Sequence, residues 1–318
     1  MKLRIATRGS RLATTQSEWV AARLRELHPG LETELVLRKT RGDNVRDRSL
    51  LALSEASGVK GLFVREIQEA VLAGEADLAV HSMKDLPAQR PEALLLGAVP
   101  VREEARDVLV LPRSAGAPGE EAISDLPLRQ GARVGTGSLR RRAQLLARRP
   151  DLRFTDLRGN LDTRLRKLAA GDYDAIILAA AGMRRLGWTE RISATLSPDL
   201  CTPAPGQGAL AVECRRDAAA TIALLDRLDD PVARAAVGIE RAVMERLGGD
   251  CTVPLGVYAE PLEDSPAQFS ALARVVSPDG LEVAEAKLLG PADTLATALV
   301  EALEAAGARD ILARLQAS

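Results

Sequence analysis

The chain has 318 residues, with 43 Lys plus Arg against 44 Asp plus Glu, seven aromatic side chains, two His and three Cys. Its 46% apolar and 27% charged residues exclude disordered and fibrous classes, and at typical domain sizes this length predicts two or three domains. Two imidazoles are too few for a His-built metal site or a His-dependent triad, so no metal is expected; three thiols without Cys-x-x-Cys spacing fit a reducing compartment better than a disulfide framework.

Residues 2–7 read as a short buried strand, followed by a helix over 11–28 with Leu12, Trp19, Leu24 and Leu27 near helical spacing and Pro29-Gly30 to stop it. Residues 33–40 alternate as a half-buried strand, 62–73 read as a helix ended by Gly74, and 76–81 as a strand. That alternation predicts a mostly parallel sheet with right-handed crossovers. Strands follow at 94–99 and 108–111, then a loop at 114–119, after which the pattern begins again. The second round runs strand 133–135, helix 138–149 stopped by Pro150, strand 153–157, helix 161–170 stopped by Gly171, strand 175–178 and a short helix through Arg185. Residues 202–208, Thr-Pro-Ala-Pro-Gly-Gln-Gly, read as a hinge, and 210–213 as a strand able to return to the first sheet. A helix at 232–247, strands at 257–259, 269–276 and 281–289, and two Ala/Leu-rich helices predict a small α+β domain with antiparallel pairing. The fold class is thus α/β, with two βαβ domains and a small C-terminal α+β domain. The expected division is 1–100 plus 203–227, 101–202, and 228–318. No run of about 18 apolar residues predicts a membrane span, and no leader pattern precedes residue 7, so a cytoplasmic protein is expected.

The net charge of −1 hides a strong asymmetry. Residues 129–191 carry fourteen Arg and one Lys against six acids, a net +9; residues 1–48 are +5, and residues 217–318 are −9. Scatter over solvated helix faces would explain this, as would a surface that binds a polyanion. Arg outnumbers Lys 37 to 6, which suits bidentate binding of carboxylate or phosphate. Nucleic acid is disfavoured because seven aromatics leave little for base stacking. Walker and dinucleotide loops fail as well: no Gly-Lys pair exists, and Gly135-x-Gly137 lacks its third glycine.

Three stretches carry chemistry. His81-Ser82-Met83-Lys84-Asp85-Leu86-Pro87 places polar groups straight after a buried strand, where α/β sheets hold ligands, although Lys84 and Asp85 could equally form a structural ion pair. Ser138 to Arg142, Leu157 to Arg164 and Arg184-Arg185 deliver guanidinium groups to one edge of one sheet. Cys251 sits in the glycine-rich loop Leu247-Gly248-Gly249-Asp250-Cys251-Thr252, a placement that favours a chemically used sulfur over a packed one. Both βαβ rounds also open alike, Thr7-Arg8-Gly9-Ser10 and Gly135-Thr136-Gly137-Ser138, with hydroxyls placed to cap a helix or to help bind an anion.

Together with Thr40-Arg41-Gly42-Asp43, Lys60-Gly61-Leu62-Phe63, Leu157-Arg158-Gly159-Asn160 and Pro205-Gly206-Gln207-Gly208, these motifs resemble, in order and spacing over nearly the whole chain, the porphobilinogen deaminase family. The resemblance implies two periplasmic-binding-protein-like domains around a cleft and a third domain bearing the cofactor. It also implies head-to-tail joining of four porphobilinogen molecules with loss of ammonia, then hydrolysis to hydroxymethylbilane, by a cytoplasmic monomer that binds neither nucleic acid nor membrane. On the same resemblance a dipyrromethane cofactor is held by a thioether to Cys251 and contacted by Lys84, Asp85, Ser138, Arg140, Arg141 and Arg164. Asp85 is the catalytic acid, while Arg8, Ser10, Phe63, Arg158, Arg185 and Gln207 meet substrate. The family's expected Gly-Gly-Cys reads Gly249-Asp250-Cys251 here, and Gly9 stands where members often carry a larger polar residue. Two rival classes are weaker. An anion receptor of the periplasmic type has no use for Cys251 or Asp85, and a phosphoryl transferase should show a phosphate loop or acidic metal ligands.

Overall fold

The computed structural model describes residues 1–38, 59–112, 122–248 and 253–316, excepting the side chains of 59–63, 122 and 316. The chain groups into two compact units, Met1–Arg102 with Ala209–Arg234, and Glu103–Gly208 with Ala235–Ser318.

In the first unit, β1 (Lys2–Arg8), β2 (Glu32–Arg38) and β3 (Leu78–Ser82) are parallel. Between them run α1 (Arg11–Leu27) and α2 (Val59–Leu72), and after them comes β4 (Leu94–Ala98). The sheet order β2-β1-β3-β11-β4 is completed by β11 (Leu210–Arg215), which returns from more than a hundred residues downstream and pairs antiparallel with β3 and β4. Alternation along the strands feeds two cores. Leu3, Ile5, Leu78, Val80 and Val212 pack with Val20 and Leu24 of α1. Ala6 and Ala79, on the opposite face, pack with Ile67, Ala70 and Val71 of α2.

The second unit holds a six-stranded sheet. Its strands are β5 (Asp107–Val110), β6 (Ala122–Ile123), β7 (Arg133–Gly135), β8 (Arg153–Thr155), β9 (Ala175–Ala179) and β10 (Ala194–Leu196), in the order β6-β10-β5-β9-β7-β8. β7, β8 and β9 are mutually parallel, and β5 runs against both its neighbours. Helices α3 (Leu139–Arg148), α4 (Leu161–Ala169) and α5 (Ala180–Arg185) connect them. Again two cores form: Leu109, Val134 and Ile177 pack against Leu145 of α3, and Val108, Val110, Ile176 and Leu178 against Leu165 and Leu168 of α4. Both large sheets therefore carry helices on both faces, as the expected α/β class requires.

Two further helices, α6 (Ala219–Leu225) and α7 (Pro231–Arg246), follow β11. The C-terminal part of the second unit is the antiparallel meander β12 (Leu255–Leu262), β13 (Ser265–Val276) and β14 (Val283–Pro291), followed by α8 (Ala292–Ala305) and α9 (Ala308–Gln316). Leu295, Leu299 and Leu303 recur along the buried face of α8 at helical spacing. Within this unit the meander is tied to the larger sheet's helices by the buried Arg274, which donates to Gln144 Oε1 at 3.2 Å and to the Asp199 carbonyl at 2.9 Å.

Candidate functional site

Strand ends and helix starts position nearly every expected residue. Arg8 closes β1 and is half-buried; two residues later Ser10 caps α1, its Oγ accepting from the Ala13 N–H at 3.4 Å. β3 ends in a three-residue 3-10 turn, Met83–Asp85. Met83 is fully buried and its N–H donates to the Ala209 carbonyl, so Lys84 and Asp85, both half-buried, project from a turn anchored on its apolar side. Behind the turn, His81 Nε2 lies 3.2 Å from Glu213 Oε2 of β11, and the same oxygen accepts from Gln68 Nε2 of α2 at 2.9 Å. Burial alone would raise the Glu213 carboxyl, but hydrogen bonding and charge from His81, with Gln68 and Arg90, hold it below the usual glutamate range.

In the second unit Ser138 caps α3, accepting from the Arg141 N–H at 3.5 Å. Arg140 and Arg141, successive residues of the first turn, are 4% and 6% exposed and turn their guanidinium groups inward to one carboxylate. Asp107, with no exposed surface, receives Arg140 Nη2 at 2.8 Å on Oδ2 and Arg141 Nη2 at 2.7 Å and Nε at 3.0 Å on Oδ1. Gln207 Nε2 donates to the same Oδ1 at 2.8 Å, and the Cys201 thiol reaches Oδ2 at 3.4 Å. Burial would raise the Asp107 carboxyl, yet the two guanidinium groups and these hydrogen bonds hold it far below the usual aspartate range. The cluster keeps two fixed positive charges against one negative charge. Cys201, by contrast, is pushed up to about 12 by burial and the neighbouring carboxylate, so its thiol stays protonated and inert.

The other arginines lie in the same unit, Arg158 in the turn before α4, Arg164 in the first turns of α4 and Arg185 at the end of α5. Arg158, exposed, pairs with Asp156 at 2.7 Å; Arg164 Nε donates to the Gly159 carbonyl at 2.8 Å, beside the Asn160 cap of α4. Arg185, at the end of α5, donates to the Gly208 carbonyl at 2.6 Å, and burial lowers its pKa to about 10. Thus Arg140, Arg141 and Gln207 meet on one carboxylate, while Arg158 and Arg164 flank the turn before α4. Cys251, Asp250 and residues 40–43 lie outside the described residues, as does the Phe63 side chain.

Sequence reasoning missed Asp107 and Glu213, the two buried acids that organise these clusters. Each had a signal: an acid placed in an otherwise apolar strand, Asp107 opening Asp-Val-Leu-Val and Glu213 within Leu-Ala-Val-Glu-Cys, demands a partner.

Comparison with known proteins identifies the family of the chain. The family model described as "Porphobilinogen deaminase, dipyromethane cofactor binding domain" matches residues 3–223, and that described as "Porphobilinogen deaminase, C-terminal domain" matches residues 235–305. The chain is 45% identical over 316 residues to porphobilinogen deaminase of Brevibacillus brevis, covering 99% of this chain and 97% of that one. It is 47% identical over 312 residues to porphobilinogen deaminase of Gloeobacter violaceus, covering 97% and 92%. Among solved structures, the periplasmic aliphatic sulphonate binding protein SsuA from Escherichia coli aligns with a TM-score of 0.40 at 15% identity, covering 77% of this chain and 70% of that one.

Proposed function

This chain belongs to the porphobilinogen deaminase family, and from that premise we propose that it is a transferase of tetrapyrrole biosynthesis that condenses four porphobilinogen molecules head to tail, releases ammonia at each step, and frees hydroxymethylbilane by hydrolysis. The observation that carries the reading is the match at 45–47% identity over at least 97% of the chain. We take it to act as a cytoplasmic monomer, divided at 1–100 plus 203–227, 101–202 and 228–318. Among the described residues no helix is long and apolar enough to cross a membrane.

The family's dipyrromethane fits the donor set of this chain. Each of its rings bears an acetate and a propionate, and the Asp107 cluster retains one positive charge beyond its own carboxylate. When bound, the group would supply the terminal pyrrole α-carbon to which the first ring is joined, each later ring joining the terminal pyrrole of the bound chain. Cys251 is assigned as its thioether attachment, with Lys84, Ser138, Arg140, Arg141 and Arg164 meeting its carboxylates. Arg8, Ser10, Phe63, Arg158, Arg185 and Gln207 are assigned to incoming substrate and the growing chain.

Asp85 is assigned the proton work. The protonated aminomethyl group of substrate leaves as ammonia with the electrons of its C–N bond, and the carbon left behind is cationic. A carboxylate held near the pyrrole N–H groups stabilises that cation, and it accepts the proton lost from the attacking carbon once the new C–C bond has formed. Lys84, the preceding residue, offers a cation to the carboxylates of the dipyrromethane. Asp85→Ala should lower kcat by about 10²–10⁴-fold, with Asp85→Glu retaining part of the activity; an Asp85→Ala enzyme at wild-type kcat would remove Asp85 from this role. The whole reading is tested by intact mass of the denatured protein. A covalent increment of two pyrrole units, lost in Cys251→Ala, supports it, and an active wild-type chain without the increment refutes it.

A further inference from the structure

Three segments remote in sequence meet at Asp107. Arg140 and Arg141 come from the first turn of α3, Gln207 from the loop before β11, and Cys201 from the segment after β10; their contacts with Asp107 span 34 to 100 residues of chain. Successive helical residues point about 100° apart, so two neighbouring arginines reach one carboxylate only if each is drawn to a different oxygen. That division is observed, with Arg140 on Oδ2 and Arg141 on Oδ1. Further hydrogen bonds fix the far ends of both guanidinium groups, Arg140 Nη1 on the Thr202 carbonyl and Arg141 Nη1 on the Ile177 carbonyl at 3.1 Å.

We infer that Asp107 is a positioning residue: by gathering Arg140, Arg141 and Gln207 on one buried carboxylate it presets the cationic centre that receives the carboxylates of the dipyrromethane. The inference rests on the function proposed above. Its physical basis is preorganisation. A long arginine side chain surrenders rotamer freedom when fixed, and Asp107 has already fixed both before any ligand arrives. It also sets the charge. With Asp107 ionised the cluster holds one excess positive charge; without it two bare guanidinium charges would share a site that water does not reach, and they would separate. Asp107 touches no reacting atom in this scheme and acts only through the arginines and Gln207.

The test uses the full chain with three substitutions and two readouts, the thermal midpoint and the fraction of molecules carrying the two-pyrrole increment by intact mass. Asp107→Asn removes the charge. Asp107→Glu keeps the charge and moves the carboxylate outward by one methylene. Leu109→Ala weakens the same strand without removing any charged or hydrogen-bonding group from Asp107, since Leu109 is an apolar residue of the core against α3. The expected result is at least a twofold loss of loaded fraction in both Asp107 variants, with Leu109→Ala fully loaded despite a lower midpoint. An Asp107→Glu chain loaded as wild type overturns the inference, and so does a Leu109→Ala chain that loses loading to the same degree, since loading then follows stability alone. Should Asp107→Asn fail to fold, the Asp107→Glu and Leu109→Ala pair still decides. A wild-type chain that lacks the increment overturns the proposed function and this inference with it, whereas a loaded wild type with loaded Asp107→Glu overturns the inference alone.

Discussion

In each of the two larger sheets one strand runs against the rest, β5 in the six-stranded sheet and β11 in the five-stranded one, and each is the first strand formed after the chain passes from one compact unit to the other. Each also carries an acid with no exposed surface, Asp107 on β5 and Glu213 on β11. Their company differs. Asp107 faces two guanidinium groups that never deprotonate, an amide and a thiol, and both its oxygens are engaged. Glu213 faces an amide and an imidazole through Oε2, while its buried Oε1 has no hydrogen-bond partner among the described residues. A buried carboxylate saturated by permanent cations is a fixed charge. One engaged through a single oxygen by an amide and an imidazole is held by weaker partners. The lesson is that equivalent topological positions have been given different electrostatic tasks, and the two acids should respond differently to removal and to pH.

The largest expected effect is at Asp107. Asp107→Ala leaves two buried guanidinium groups unpaired and should destabilise the protein by about 3–5 kcal/mol, read as a lower urea midpoint at unchanged slope. The wild-type advantage over Asp107→Asn should also depend on acid. The folded carboxyl is depressed, so its contribution is complete above the unfolded aspartate value of about 3.9 and is lost as pH falls from there toward the folded value. If Glu213→Ala cost as much as Asp107→Ala, the contrast between the two acids would be wrong.

Next comes Gly208, which stands between Gln207, bonded to Asp107, and the start of β11. Its φ is +89°, and a Cβ there would meet the Glu103 carbonyl oxygen at 2.2 Å, with Ala105 backbone atoms at 3.1 and 3.2 Å. The left-handed conformation alone costs a non-glycine residue about 1–2 kcal/mol, and a backbone clash adds to it. Gly208→Ala should therefore cost more than about 2 kcal/mol in urea unfolding. Hydrogen exchange should show the loss at 103–107, the segment holding Asp107, ahead of 210–215; the reverse order would show that strain passes to the Glu213 strand instead.

Much of this architecture was legible in the sequence because its signals are local. Apolar runs bounded by Gly and Pro marked β1, β3, β7 and β9, and the Ser138 cap with Pro150 bracketed α3 to within a residue at each end. β11 was legible as a strand able to return to the first sheet, but its partners there were not, since one strand does not name them; pairing with β3 and β4 is a property of the whole chain. β6 and β10, two and three residues long, are too short for any periodicity to register, and they exist because neighbouring strands supply their hydrogen bonds. At the candidate site the cations were legible and the anion that collects them was not. Arg140, Arg141 and Gln207 stand out by motif, whereas Asp107 is a single acid between Arg106 and Val108 whose importance comes from burial, which sequence does not display.

The smallest and most discriminating test concerns Glu213. Glu213→Gln keeps the shape and an acceptor for Gln68, so it exchanges charge-assisted hydrogen bonds for neutral ones at a cost of about 1 kcal/mol near neutral pH. The sign of the pH dependence follows from the depressed folded carboxyl: the wild-type advantage is present above the unfolded glutamate value of about 4.3 and fades as pH falls below it. Urea midpoints for wild type and Glu213→Gln should therefore converge as pH falls below the unfolded glutamate value of about 4.3. Among the described residues the groups facing this carboxylate are His81, Gln68 and, at longer range, Arg90, so His81→Gln should shrink the difference between Glu213 and its Gln variant by removing the partner that most favours the charged form. If the two midpoints stay apart in acid, or if the difference survives intact in His81→Gln, the charge of Glu213 is not what His81 and Gln68 stabilise, and the distinction between the two antiparallel strands fails.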